Sequence, residues 1–205
     1  MGVDKYRDGF SIAVHESTLK DPLKWRQPRL VFVNSMSDLF HKSVPLAFIK
    51  SVFDVMNRAS QHTFQVLTKR PGRVAKVDAQ LNWTPNIWLG TSIESERWLG
   101  RLTWLKQTSA RTKFLSLEPL LGPLPDIQFE GIDWVIVGGE SGPGARPMEA
   151  DWVRELRDNC VQHDVPFFFK QWGGVFKKRT GRTLDNRTWD QMPESIQSSE
   201  IPSGH

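Results

Sequence analysis

Six short apolar runs punctuate the chain. They are RLVFV at 29–33, TFQVLT at 63–68, NIWLGTS at 86–92, KFLSLE at 113–118, DWVIVGG at 133–139 and PFFFKQ at 166–171. Each is rich in β-branched and aromatic residues and too short for a buried helix, so each predicts a strand. Their near-continuous apolar character predicts burial on both faces, as in a parallel sheet. The intervening segments change period. PLAFIKSVFDVMNRA places Phe48, Ile49, Val52, Phe53 and Met56 on one helical face, after Ser43 as a candidate N-cap and with Pro45 in the first turn. SERWLGRLTWLKQT does the same with Trp98, Leu102 and Leu105, and MEADWVRELRDNCVQH with Trp152, Val153, Leu156 and Cys160. PGRVAKVDAQLNWTPN predicts one or two helical turns, and PLLGPLPDIQFE an irregular crossover.

Strand alternating with helix predicts βα units and a parallel α/β sheet of about six strands. From Lys177 the pattern becomes polar, and TGRTLDNRTWDQMP reads as turns or a small hairpin. Residues 1–193 form one expected domain, and 194–205 an expected disordered tail.

In a parallel α/β fold, ligands sit at the carboxyl ends of the strands. Reading along those ends gives Asn34, Ser35, Ser37 and Asp38, then Thr68, Lys69 and Arg70. Next come Thr91, Ser92 and Glu94, then Ser116 and Glu118. Glu140 and Ser141 follow, with Lys170, Gln171 and Trp172 last. If the sheet curves, these groups converge on one mouth. Each residue alone has a structural explanation: Ser37, Asp38 and Ser92 suit helix caps, and a glutamate can pair with a neighbouring lysine. Together they favour a binding or reaction site, because three carboxylates and two lysines are costly to gather unless they pair or bind something.

Composition narrows the classes. The chain has 205 residues, 39% hydrophobic and 24% charged, with a net charge of +4. No apolar run is long enough to span a membrane, and MGVDKYRDGF lacks the apolar core of a signal peptide. One cysteine, on a helix, excludes an internal disulfide; a cytoplasmic location is the expectation. The five histidines show no metal-ligand spacing, so no metal site is predicted. Basic residues cluster at Lys69, Arg70 and Arg73 and at Lys177, Lys178, Arg179 and Arg182. They suit the phosphates of a nucleic acid, with Trp172 or Trp189 stacking on a base, or equally a solvated basic surface.

FVNSMSDLFH, VLTKRP, WLGTSIE, LEPLLGP, WVIVGGESGPGARPM, FFFKQWGG and LDNRTWDQMP together resemble a phage- and prophage-associated family described as radical-SAM-like, over about residues 5–193. The resemblance implies a partial (βα) barrel of the radical-SAM type, in the host cytoplasm if phage-encoded. Full-length relatives would hold an iron–sulfur cluster on three cysteines after the first strand, and S-adenosylmethionine on its open iron. In that family the cysteine segment lies upstream of the block that reads KYRDGF here. The expectation is therefore a barrel lacking its first strand and a chain with no cofactor of its own. It would be a truncated or degenerate relative without radical-SAM activity, or alternatively a fragment of an iron–sulfur enzyme. An open barrel edge would invite a protein partner or a second copy, as in a phage factor directed at a host or defence protein.

Overall fold

The structure is a computed structural model and describes residues 16–33, 37–175 and 180–193. The predicted strands form as β1 (Leu30–Val33), β2 (Thr63–Thr68), β3 (Ile87–Ser92), β4 (Thr112–Leu117), β5 (Trp134–Gly138) and β6 (Phe167–Gln171). All pair in parallel and in chain order, and the sheet curls into a half-barrel. A helical segment fills most crossovers: α2 (Leu46–Arg58), α3 (Pro71–Val77), α4 (Gly100–Lys106) and α5 (Ala150–Gln162), with the short α1 (Glu16–Leu19) ahead of the sheet. The crossover between β4 and β5 contains no helix, as its proline and glycine content predicts.

Alternation along the strands divides the core. Phe64, Val66, Ile87, Leu89, Leu115, Leu117, Val135, Val137, Phe167 and Phe169 join the helix residues Ile49, Phe53, Val74, Leu105, Val153, Leu156 and Cys160 in one cluster. The opposite, inner face carries Trp88, Phe114 and Trp134, packed by Leu67, Ile136, Phe168 and Met192. Trp134 is the hub, with centroids of Trp88 at 6.0 Å, Phe114 at 5.9 Å and Phe168 at 5.9 Å in edge-on or tilted contact. Gly90 lies in this layer because a methyl there would overlap the Phe114 ring. Trp88 and Trp134 are thus core residues, as their strand positions imply, and Cys160 is a buried apolar residue.

The polar C-terminal segment forms the expected hairpin, β7 (Thr183–Leu184) and β8 (Arg187–Thr188). Its turn residues Asp185 and Asn186 take φ of 53° and 60°, the left-handed pair a two-residue hairpin turn needs. The chain then runs back along β6. Phe169 N–H donates to Trp189 O at 2.9 Å and Gln191 N–H to Phe167 O at 3.3 Å. Trp189–Gln191 thus occupies the free side of β6, and among the described residues only β1 lacks an outer neighbour.

Two helix details also differ. Pro45, not Ser43, is the N-cap of α2, with no side-chain cap bond. Trp98, placed by periodicity on a buried face, belongs to a 3₁₀ turn (Glu96–Trp98) and is 37% exposed. That turn advances each residue by about 120° rather than 100°, so the indole swings off the apolar stripe of α4. Asn34, Ser35, Lys177, Lys178, Arg179 and the tail 194–205 lie outside the described residues. No helix among the described residues is long and apolar enough to cross a membrane.

Candidate functional site

Parallel registration brings the strand ends to one edge of the sheet. Ser92 pairs in register with Ser116, Leu117 with Val137, and Gly138 with Gln171. Beyond that edge the side chains form two ion-paired groups.

The first group spans β1 to β3. Asp38 accepts from Thr68 Oγ1 at 2.7 Å, from the Lys69 amide at 3.1 Å, from Arg70 Nη1 at 2.7 Å and from its own turn at Phe40 N–H, 2.9 Å. This carboxylate ties the β1 loop to the end of β2. Lys69 turns the other way, its Nζ 2.5 Å from Glu94 Oε1. Arg101, from α4, donates to Glu94 Oε2 at 2.9 Å and to Ser92 O at 2.7 Å. Burial alone would raise the Glu94 pKa, but Lys69 and Arg101 outweigh it and hold the carboxyl below the usual range.

The second group spans β4 to β6. Lys170 Nζ lies 2.9 Å from Glu118 Oε2, and Gln171 Nε2 donates to Ser141 Oγ at 2.9 Å. Glu140 receives Arg146 through Nε and Nη2, both at 2.8 Å, and through the Arg146 backbone amide at 2.9 Å. That three-point clamp lowers its pKa to about 2 and raises that of Arg146. The GGESGPG loop is held by the loop after β6: Gly139 N–H donates to Gln171 O at 2.9 Å and Gly174 N–H to Glu140 O at 2.6 Å. Gly139 and Gly173 are required for this approach, because a methyl on either would overlap the opposing backbone.

Asp38, Thr68, Lys69, Arg70 and Glu94 therefore form one contiguous cluster, and Glu118, Ser141, Lys170 and Gln171 another. Ser92 and Ser116 are buried at the edge between them. Trp172 is committed elsewhere, its indole N–H on Thr183 O at 2.8 Å and its ring on Phe169 at 4.8 Å. Of the expected phosphate ligands, Arg73 donates to His41 O and to Val44 O, and Arg182 pairs with Asp190. Trp189 is buried against Phe167, with Arg157 and Arg187 over its ring, so it offers no stacking face. Arg101 and Arg146 complete the site and were missed. Their only signal is a position six or seven residues after a strand-end glutamate.

One pattern runs through four of the five ion pairs at the mouth, Arg70–Asp38, Lys69–Glu94, Lys170–Glu118 and Arg146–Glu140; in the fifth, Arg101–Glu94, both side chains are covered. In the four, the cation side chain is 41–59% exposed and its carboxylate 9–29%. The carboxylates stand behind and the N–H donors face outward. Among the described residues no three or more His, Cys, Asp or Glu side chains gather as a metal site would require. The one cysteine lies buried on α5, and burial pushes its thiol pKa up, so this chain's residues do not fit a cluster held by three thiolates.

Fold and site define a curled parallel α/β half-barrel with an ion-paired mouth at the strand C-termini. The chain matches the model of a family described as "Protein of unknown function (DUF5131)" over residues 2–193 and belongs to that family. No curated protein and no solved structure matches it.

Proposed function

We propose that the mouth of the half-barrel binds an anionic, phosphate-bearing ligand, on a barrel of the radical-SAM type that uses no cluster of its own. The supporting observation is the shared orientation of the four ion pairs, with each cation held from behind by a more buried carboxylate. A lysine or arginine fixed this way keeps free N–H groups for a second acceptor and has already surrendered part of its rotamer entropy. The sequential parallel strand order and the position of the polar groups at the strand C-termini are what a ligand site in such a barrel needs.

The test is calorimetric titration with tripolyphosphate. Lys69→Ala and Lys170→Ala should each weaken binding about tenfold, the scale of one charge-assisted hydrogen bond. Arg154→Ala, on α5 and paired with Asp151 and Asp185 away from the mouth, should leave it unchanged. No binding, or equal loss in all three variants, overturns the proposal.

A further inference from the structure

Two tryptophans stand exposed beside the mouth, and the ion pairs connect them to it. Trp98 is 37% exposed and Trp104 is 45%. Arg101 covers the Trp98 ring at 4.0 Å while holding Glu94, and Glu94 in turn holds Lys69. Trp104 lies against Gly72, two residues beyond Arg70: a methyl on Gly72 would sit 3.5 Å from the indole. Trp98 thus reaches Lys69 through Arg101 and Glu94, and Trp104 packs on the helical turn that follows Arg70. Arg97, exposed and 5.1 Å from the Trp98 centroid, makes no ion pair among the described residues.

A basic groove with interleaved aromatic rings is the recognition chemistry of single-stranded nucleic acid: rings take bases of any sequence and cations take the phosphates. A small free anion would use the cations and leave both indoles without a role. Leu102 and Leu105 bury the apolar stripe of α4, so the two exposed indoles lie outside that stripe and beside the mouth cations.

We infer that the phosphate-bearing ligand of this mouth is a single-stranded nucleic acid, with bases stacked on Trp98 and Trp104 and phosphates on Lys69, Arg70 and Arg97, the exposed cations beside them. This inference rests on the anion-binding reading above and narrows it to one ligand class. It replaces Trp172, half-buried, and Trp189, buried, with two tryptophans that are exposed.

The test titrates the full chain with fluorescein-labelled oligothymidylate and oligouridylate of about 20 nucleotides, longer than the usual single-strand site. Tripolyphosphate is titrated in parallel. Binding should be tight at low salt, and its logarithm should fall linearly with log salt by about 0.7 per phosphate contacted. Trp98→Ala and Trp104→Ala should each weaken oligonucleotide binding at least about fivefold, the low end of one base stack. Tripolyphosphate affinity should be unchanged in both. Far-ultraviolet circular dichroism confirms that the variants are folded. Oligonucleotide binding indifferent to both substitutions overturns the inference. So does tripolyphosphate binding without oligonucleotide binding, which leaves the anion-binding mouth standing and leaves the exposed tryptophans to a protein partner. Failure of both ligands removes both readings.

Discussion

Two regions of the molecule use the same three residue types in opposite order. Beside the mouth, Trp98, Arg101 and Glu94 form a chain in which the carboxylate is buried and the indole faces solvent. Beside the hairpin, Trp189, Arg157 and Asp185 form a chain in which the indole is buried and the carboxylate faces solvent. Arginine is the middle member in both, stacking on one neighbour and pairing with the other. The order of burial separates their roles. At the hairpin, Arg154 and Arg157 of α5 grip Asp185 and staple the C-terminal segment onto the helix, with Trp189 closing the core beneath. At the mouth, the same chemistry is anchored inside and turned outward, the arrangement on which the proposed anion site rests.

The sharpest way to break this comparison is to remove each tryptophan. Trp189→Ala should cost about 3–5 kcal/mol in chemical denaturation, the usual loss for a buried large aromatic, and leave tripolyphosphate affinity unchanged in the folded fraction. Trp98→Ala should change stability by about 0.5 kcal/mol or less, as for an exposed residue. Equal costs at the two sites would show that burial order does not distinguish them.

The carboxylates come next. Glu94→Gln strips the buried anchor from Arg101, which is itself largely covered, and should lower stability by about 2 kcal/mol; the solvent exposure of Lys69 moderates the full buried-pair loss. Asp185→Asn, at an exposed ion pair, should move the urea midpoint less. The reverse ranking would place the structural weight at the hairpin ion pairs instead.

Acid titration gives the smallest effect. Glu94 has a folded pKa below its ordinary 4.5, so its contribution is present above that pH and is lost as pH falls through the folded value. Stability should therefore decline below about pH 4.5, and the decline should be shallower in Glu94→Gln. Glu140, lowered to about 2, should lose its share progressively as pH falls from about 4.5 to about 2. An unchanged acid limb in Glu94→Gln would contradict the pairing described for it.

The strands were legible in the sequence because a two-sided buried strand leaves a run of apolar letters that no other short element does; β1 has the run without the burial expected of it, since Leu30 and Phe32 are exposed. The mouth was legible for a related reason: where such a run stops at a polar residue, the chain has reached the edge of the sheet. Glu94, Glu118 and Glu140 were found that way. Their partners were not. Arg101 sits in an amphipathic helix, where it looks like any solvated arginine, and its contact with Glu94 depends on how the chain turns after β3. Trp98 was misplaced because a 3₁₀ turn shifts the angular phase that helical periodicity assumes. Trp189 looked like a surface aromatic among polar residues. Its burial follows from the return of the chain along β6, a pairing of two residues that carries no apolar signature. The composition around a residue predicted its element, whereas the order of burial in an Arg–Trp–carboxylate chain required coordinates.

The central claim, outward-facing cations anchored by carboxylates behind them, is tested most directly by lysine footprinting. The folded protein is acetylated with and without tripolyphosphate and read by mass spectrometry. Lys69 and Lys170 should be protected by the anion, while Lys50 on α2 and Lys113 at the opposite end of the sheet should react equally in both. Uniform protection, or none at Lys69 and Lys170, would contradict the account.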